Sequence, residues 1–186
     1  MGKLYESISP ELTSWITKQK IFFVSTAPLA AEGHINCSPK GADSFRILDR
    51  QHVIYQDLTG SGVETIAHLR ENGRILIMFC AFEGPPKIVR LHGMGQVITP
   101  DTEAFLQFLP LFPEHPGTRA FIKIAVHRIS DSCGYSVPLY DFRQDRDVLD
   151  KWSANKGANG LREYRNQKNR LSIDGLPGLK EELPAG

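Results

Sequence analysis

Apolar residues change spacing several times along the chain, and each change marks an element. Ser9-Pro10-Glu11 reads as a helix start: a hydroxyl N-cap, proline at the first helical position and an acid in the first turn. Leu12, Trp15 and Ile16 follow at helical spacing, which predicts a short amphipathic helix ending near 18–20. Residues 21–26 (IFFVST) are β-branched and aromatic, too few for a typical helix and closed by Ala27-Pro28, so a buried strand is expected. Gly33 opens a second strand in which Ile35 and Cys37 alternate with His34, Asn36 and Ser38; Pro39 is expected to stop its pairing and Gly41 to turn the chain. Two more short strands, 45–48 and 52–56, flank Asp49-Arg50 in a hairpin pattern.

Asp57-Leu58-Thr59-Gly60-Ser61-Gly62 is a polar, glycine-rich loop, and Val63, Ile66, Ala67, Leu69 and Arg70 then carry a helix to a C-cap at Asn72-Gly73. Residues 74–82 (RILIMFCAF) are the most apolar run and predict a central strand. Residues 87–98 predict a long strand whose Gly93 and Gly95 mark a bulge or a close backbone approach. Thr99-Pro100-Asp101 restarts helix through Phe105, Leu106 and Leu109 to Pro110, and 120–129 alternates as a strand. From Tyr135 the character changes to GYSVPLYDF, a charged helix over 143–154, a break at Lys156-Gly157, a second helix over 161–168 and a Pro/Gly-rich tail.

Many short strands with few helices predict a mainly β fold with helices (α+β): a small closed or split β-barrel with helices at its mouths. Strict βαβ alternation is absent, and Gly60-x-Gly62 lacks the third glycine and the following acid of a dinucleotide fingerprint. At 186 residues, 41% hydrophobic and 23% charged, the chain suits one domain with an appendage, able to bury its own core. Twenty-two Lys plus Arg against 21 Asp plus Glu leave a net charge of +1, too little to steer it onto nucleic acid or an anionic membrane, so an anion site must be local. Three scattered cysteines fit a reducing cytosol and exclude a disulfide framework. No N-terminal apolar signal region or membrane-spanning run is present, so a cytoplasmic location is expected.

The strand, glycine loop and helix around 57–65 form the most informative constellation. A helix N-terminus offers unpaired N–H groups and partial positive charge, and glycines let one phosphate approach the backbone. The alternative is that Thr59 or Ser61 simply caps the helix while the glycines make a turn. Ser38-Pro39-Lys40-Gly41 offers a lysine that either neutralises a phosphate or sits in a solvated turn. Metal catalysis is not supported: His34 and Cys37, three apart on a strand, face opposite sides. No G-x-S-x-G elbow supports an esterase, and the basic residues Arg162, Arg165, Lys168 and Arg170 read as a solvated helix face.

In order, a helix then IFFVSTA, GHINCSPKG, VIYQDLTGSGVETIAHLREN, RILIMFCAF and IVRLHGMGQVI resemble the pyridoxamine 5'-phosphate oxidase-like flavoproteins with their FMN-binding split β-barrel, over about 12–129. The whole chain, with GYSVP at 134–138, is similar to the cytosolic oxidase-related subgroup. The resemblance implies an FMN-binding barrel at 1–130, an extension at 131–186 packed on it, and a homodimer with FMN in clefts between subunits. It implies that Asn36, Cys37 and Ser38 face the isoalloxazine, while Lys40, Thr59, Gly60, Ser61 and Gly62 hold the phosphate, with Thr65 reaching it from the helix. Gln56 becomes a hydrogen-bonding partner beside Asp57 on the strand along the flavin. Arg90 and His92 share one face of a strand beside the cofactor, or form an outward polar stripe.

FMN is favoured over FAD or NAD because one phosphate cradle and one planar slot are all the chain offers. The oxidase proper carries an arginine-x-histidine motif in a C-terminal strand; here GYSVPLYDF and two charged helices stand instead, so the vitamin substrate is not carried over. If the tail covers the cleft, Tyr135, Pro138 and Tyr140 become ring neighbours; otherwise they are core. The implied activity is an FMN-dependent oxidoreductase taking hydride from a small-molecule substrate or electron donor to flavin N5 and then to oxygen or another acceptor. The alternatives are a flavin-sequestering module without turnover, or a heme or deazaflavin binder on the same fold. No nucleic acid, membrane or metal partner is expected.

Overall fold

A computed structural model describes residues 2–183. The elements are β1 (Leu4–Tyr5), α1 (Pro10–Ile16), β2 (Phe22–Thr26), β3 (Asn36–Lys40), β4 (Phe45–Ile47), β5 (His52–Leu58), α2 (Glu64–Asn72), β6 (Arg74–Cys80), β7 (Ile88–Ile98), α3 (Glu103–Phe108), a 3-10 turn (Leu109–Leu111), β8 (Thr118–Ser132) and α4 (Val148–Lys168). The strands form one antiparallel sheet in the order β3-β2-β6-β7-β8-β5-β4, with β1 paired to β8. Phe22 and Phe45 stand on β2 and β4, near opposite ends of that order, yet their rings lie 5.2 Å apart. The sheet therefore curls on itself into a half-barrel, and the fold is the mixed α+β class expected from the strand pattern.

Register explains which side chains fill the interior. Val24 pairs with Ile77, Ile77 with Leu91 and Leu91 with Ile129, and all four are buried. The next row over, Ser25, Leu76, His92 and Arg128, has opposite phase and points outward, as period two requires. Strand β5 is buried on both faces. Its Tyr55 joins the main core, while Ile54 packs with Phe105, Phe112 and Phe121 in a second cluster beneath α3. Leu12 and Ile16 of α1 and Ile66 and Leu69 of α2 seal the main core, each such side chain contributing about 1.5–3 kcal/mol.

Local chemistry matches several expectations. Ser9 Oγ accepts from Leu12 N at 3.2 Å, so α1 is capped as read. Gly73 ends α2 at φ 72, a left-handed position suited to glycine. The β7–β8 register shifts between His92 and Gly93, and a Cβ on Gly93 would stand 2.4 Å from the Ala125 carbonyl oxygen.

Other boundaries differ for identifiable reasons. Pro39 does not end its strand: it pairs with Phe23, and Lys40 with Phe22, because β3 is a sheet edge where a missing N–H costs no ladder bond. Helix α3 starts at Glu103 rather than at Pro100, since 99–102 close a separate turn with Thr102 N donating to Thr99 O, and Thr102 is extended. Helix α4 starts at Val148, not Arg143. Tyr140 N donates to Phe82 O and Phe142 N to Glu83 Oε1, which keeps 133–147 as an exposed arm along the barrel. The expected break at Gly157 is present as a non-helical kink inside α4.

Candidate functional site

Edge strand β3 presents Asn36, Ser38 and Lys40 on one half-buried face, with Cys37 and Pro39 exposed on the other. Asn36 Nδ2 donates to Thr65 Oγ1 at 2.9 Å and to Thr26 Oγ1 at 3.3 Å, while its Oδ1 accepts from Ser38 Oγ at 3.0 Å. Thr26 Oγ1 lies 2.9 Å from Nδ1 of fully buried His68. The other ring nitrogen of His68, Nε2, is buried without a hydrogen-bond partner. Burial pushes His68 below the usual imidazole range, consistent with a neutral ring.

Lys40, at the end of that face, reaches Asp57 at the end of β5: Nζ to Oδ1 is 2.9 Å. Arg119 Nε holds the other oxygen, Oδ2, at 2.8 Å. Burial pushes the Asp57 carboxyl up, but Arg119 and Lys40 outweigh it and hold the group at about 2. Two cations around one carboxylate leave this buried cluster with one net positive charge. Tyr55, behind it, is pushed well above the usual phenol range by burial and by Asp57.

The glycine loop sits on this cluster. Thr59 N and Oγ1 both donate to Gly117 O, at 2.7 and 2.8 Å. Asn169, just past α4, donates through Nδ2 to Gly60 O at 2.9 Å and accepts from Arg119 Nη1 at 2.8 Å. Arg165 Nη1 adds a donor to Thr59 Oγ1 at 3.2 Å and is clamped by both oxygens of Glu182 at 2.6 Å. Neither Thr59 nor Ser61 caps α2: the N-cap is Val63, with no side-chain bond. Among the described residues, no backbone carbonyl accepts from the N–H of Gly60, Ser61 or Gly62. The loop thus commits the Gly60 and Ser61 carbonyls and the Thr59 N–H and hydroxyl to the protein and leaves the N–H donors of Gly60, Ser61 and Gly62 free. The Glu64 carboxylate, which accepts from Ile173 N at 3.3 Å, stands beside Gly62.

Of the residues singled out from sequence, Asn36, Ser38 and Thr65 form one bonded group, Lys40, Asp57 and Gly60 form a second through Arg119, and Thr59, Ser61 and Gly62 continue the loop from Gly60. Gln56 is buried, its Nε2 bonded to Thr118 Oγ1 at 2.7 Å and Pro113 O at 3.2 Å. Cys37 lies on the other face of its strand. Arg90 is on the outward face of β7, bonded to Ser132 Oγ at 2.8 Å and sharing no partner with the loop. Tyr135 is exposed, and Tyr140 stands against Phe82. Arg119 and Asn169 carry no signal in the sequence, and Arg165, expected on a solvated helix face, instead reaches the loop. Only pairing of Asp57 with Ala120 brings Arg119 beside the loop.

The family model for pyridoxamine 5'-phosphate oxidase matches residues 8–133, more than half of the chain. The chain belongs to that family. A pyridoxamine 5'-phosphate oxidase family protein of Aspergillus flavus, ustO, is 40% identical over 202 residues, covering 98% of this chain and 80% of its own. That coverage takes in the extension as well as the barrel. Among solved structures, a histidine-to-alanine variant of HupZ from Group A Streptococcus aligns with a TM-score of 0.52 at 27% identity, over 67% of this chain and 99% of that one. A candidate pyridoxamine 5'-phosphate oxidase from Lactobacillus delbrueckii gives the same TM-score at 16% identity, over 67% and 94% of the two chains, and speaks to the fold alone. No helix among the described residues is long and apolar enough to cross a membrane.

Proposed function

We propose that this protein is an FMN-binding oxidoreductase whose phosphate cradle is the loop 59–62. One observation carries the reading: the N–H groups of Gly60, Ser61 and Gly62 have no acceptor among the described residues, the Gly60 and Ser61 carbonyls accept from Asn169 of the extension, and a buried cluster of net charge +1 lies beneath the loop. A phosphate needs donors and positive charge without competing acceptors, and this arrangement suits it. A Cβ on Gly60 would meet nothing within 4 Å, so the loop has room on that side.

Lys40 and Arg119 would offset phosphate charge through Asp57, and Thr65 would add a hydroxyl from the first turn of α2. Asn36 and Ser38, locked by Thr26, Thr65 and His68, would present fixed polar groups along the β3 face. When bound, FMN supplies two-electron chemistry, accepting hydride at N5 and passing electrons to oxygen or another acceptor. The outward row Phe23, Met78, Arg90 and Ser130, half-buried on an otherwise uncovered sheet face, supports pairing of two copies there. The unpaired cysteines Cys37, Cys80 and Cys133 support a reducing cytosol.

The test is the colour and mass of what co-purifies. A yellow protein that releases FMN on denaturation is expected, and a colourless one that also fails to bind added FMN would overturn the reading. A flavin-holding module without turnover is the second reading, favoured by the fact that Lys40, Asp57 and Arg119 satisfy one another and leave no free base. Anaerobic mixing with NADH or NADPH separates the two: bleaching of the flavin supports the enzyme, and persistent colour with every donor supports the module.

A further inference from the structure

A cleft of about 1150 Å3 opens where four segments meet: the chain leaving α1, the end of β3, the β6–β7 turn and the arm after β8. Four aromatic residues, Trp15, Phe82, Tyr140 and Phe142, stand in its walls. Phe82 and Tyr140 lie with ring centroids 5.6 Å apart, Lys20 Nζ stands 5.3 Å from the Phe142 ring, and Lys87 Nζ stands 5.2 Å from the Trp15 ring. The arm is anchored rather than loose, since Tyr140 N donates to Phe82 O at 2.9 Å and Phe142 N to Glu83 Oε1 at 3.0 Å.

The charges on these walls are unbalanced. Lys18, Lys20, Arg143 and Arg146 line the cleft and form no ion pair among the described residues. Lys40 is held by Asp57, and Lys87 has Asp131 at 3.8 Å. Against these four cations stand three acids, Glu83, Asp141 and Asp145, Glu83 also accepting from Phe142 N, so the excess is one positive charge. In a chain of net charge +1 this excess is a local feature, not a global field. An aliphatic anion would make no use of the rings, and a neutral arene none of the excess positive charge.

We propose that this cleft binds an aromatic carboxylate, its rings covered by Trp15, Phe82 and Phe142 and its carboxylate met by Arg143 and Arg146. The proposal rests on the cleft's own walls and not on the flavin reading. The two meet only at Lys40, which lines the cleft and reaches Asp57 beneath the glycine loop.

The chain has two tryptophans, Trp15 in the cleft and Trp152 on α4, so two indole N–H resonances report binding separately once Trp152→Phe assigns them. Titration with 2-naphthoate is expected to move the Trp15 resonance saturably and leave that of Trp152 in place. Affinity for 2-naphthoate should exceed that for the neutral 2-naphthamide at least tenfold at low salt. The double substitution Arg143→Gln with Arg146→Gln should reduce it to the amide's level while the Trp152 resonance keeps its native position. A Trp15 resonance that does not respond, equal affinity for acid and amide, or full affinity in the double variant would each overturn the proposal. FMN titration of the same proteins keeps the two readings apart, because naphthoate failing while FMN binds removes only the cleft.

Discussion

Asn169 Nδ2 donates to the carbonyl of Gly60 at 2.9 Å, joining positions 109 apart and tying the extension to the glycine loop. The same side chain accepts from Arg119, which holds Asp57. Loop, buried ion cluster and extension therefore form one unit. Replacing Asn169 with Ala removes bonds on both sides of a fully buried residue and leaves Arg119 short of a partner. Urea unfolding should show a loss of about 2–4 kcal/mol, and FMN titration a weaker complex; unchanged values in both would show the loop to be self-supporting.

Lys40 is the most accessible member of the cluster. Lys40→Ala leaves Asp57 with Arg119 alone and removes one cation, so FMN affinity should fall by about 1–3 kcal/mol. Lys40→Arg should recover part of that loss. Equal affinity in all three proteins would remove Lys40 from the phosphate's surroundings.

Stability should also depend on acid through Asp57. Its folded-state value, about 2, lies below the ordinary 3.8, so the ionised carboxylate stabilises the fold above pH 3.8 and that contribution fades as pH falls toward 2. The amount is about 2 kcal/mol. Denaturation curves between pH 5 and 2 should show this decline, and Asp57→Asn, though less stable at neutral pH, should show a flatter one.

Glu64 opposes an anion at the loop, because its carboxylate stands beside Gly62 at the start of α2. Glu64→Gln keeps an acceptor for Ile173 N and removes the charge. FMN should then bind a few times more tightly at low salt, by about 0.3–1 kcal/mol, the usual worth of a charge at a helix end. Weaker binding in the variant would place the phosphate away from this helix start.

Gly93 tests the barrel itself. A methyl group there meets the Ala125 carbonyl oxygen at 2.4 Å and Ile124 Cγ2 at 2.6 Å. Gly93→Ala should cost about 1–3 kcal/mol by thermal melting. A variant as stable as the parent would mean that β7 and β8 part without penalty.

Local chemistry determined much of this protein directly. Ser9-Pro10 starts a helix, Gly73 ends one, Gly93 marks the bulge and Gly157 breaks α4, because each is set by a residue's own backbone preference and immediate neighbours. The ordered strands and the glycine loop were legible for the same reason, and with them the family. What the loop's neighbours do was not legible. Arg119 stands just before the expected strand 120–129 and Asn169 just after the expected helix 161–168, and neither was singled out. Their roles arise from the pairing of β5 with β8 and the docking of the extension, contacts that span 50 to 109 positions. Pro39 shows the same limit, since whether a proline ends a strand depends on which strand lies beside it. Tertiary structure alone decided that β3 is an edge, that Asp57 is shared by two cations, and that the aromatic arm meets the turn before β7. Each of these is a distance between residues far apart in the chain, and no local preference encodes it.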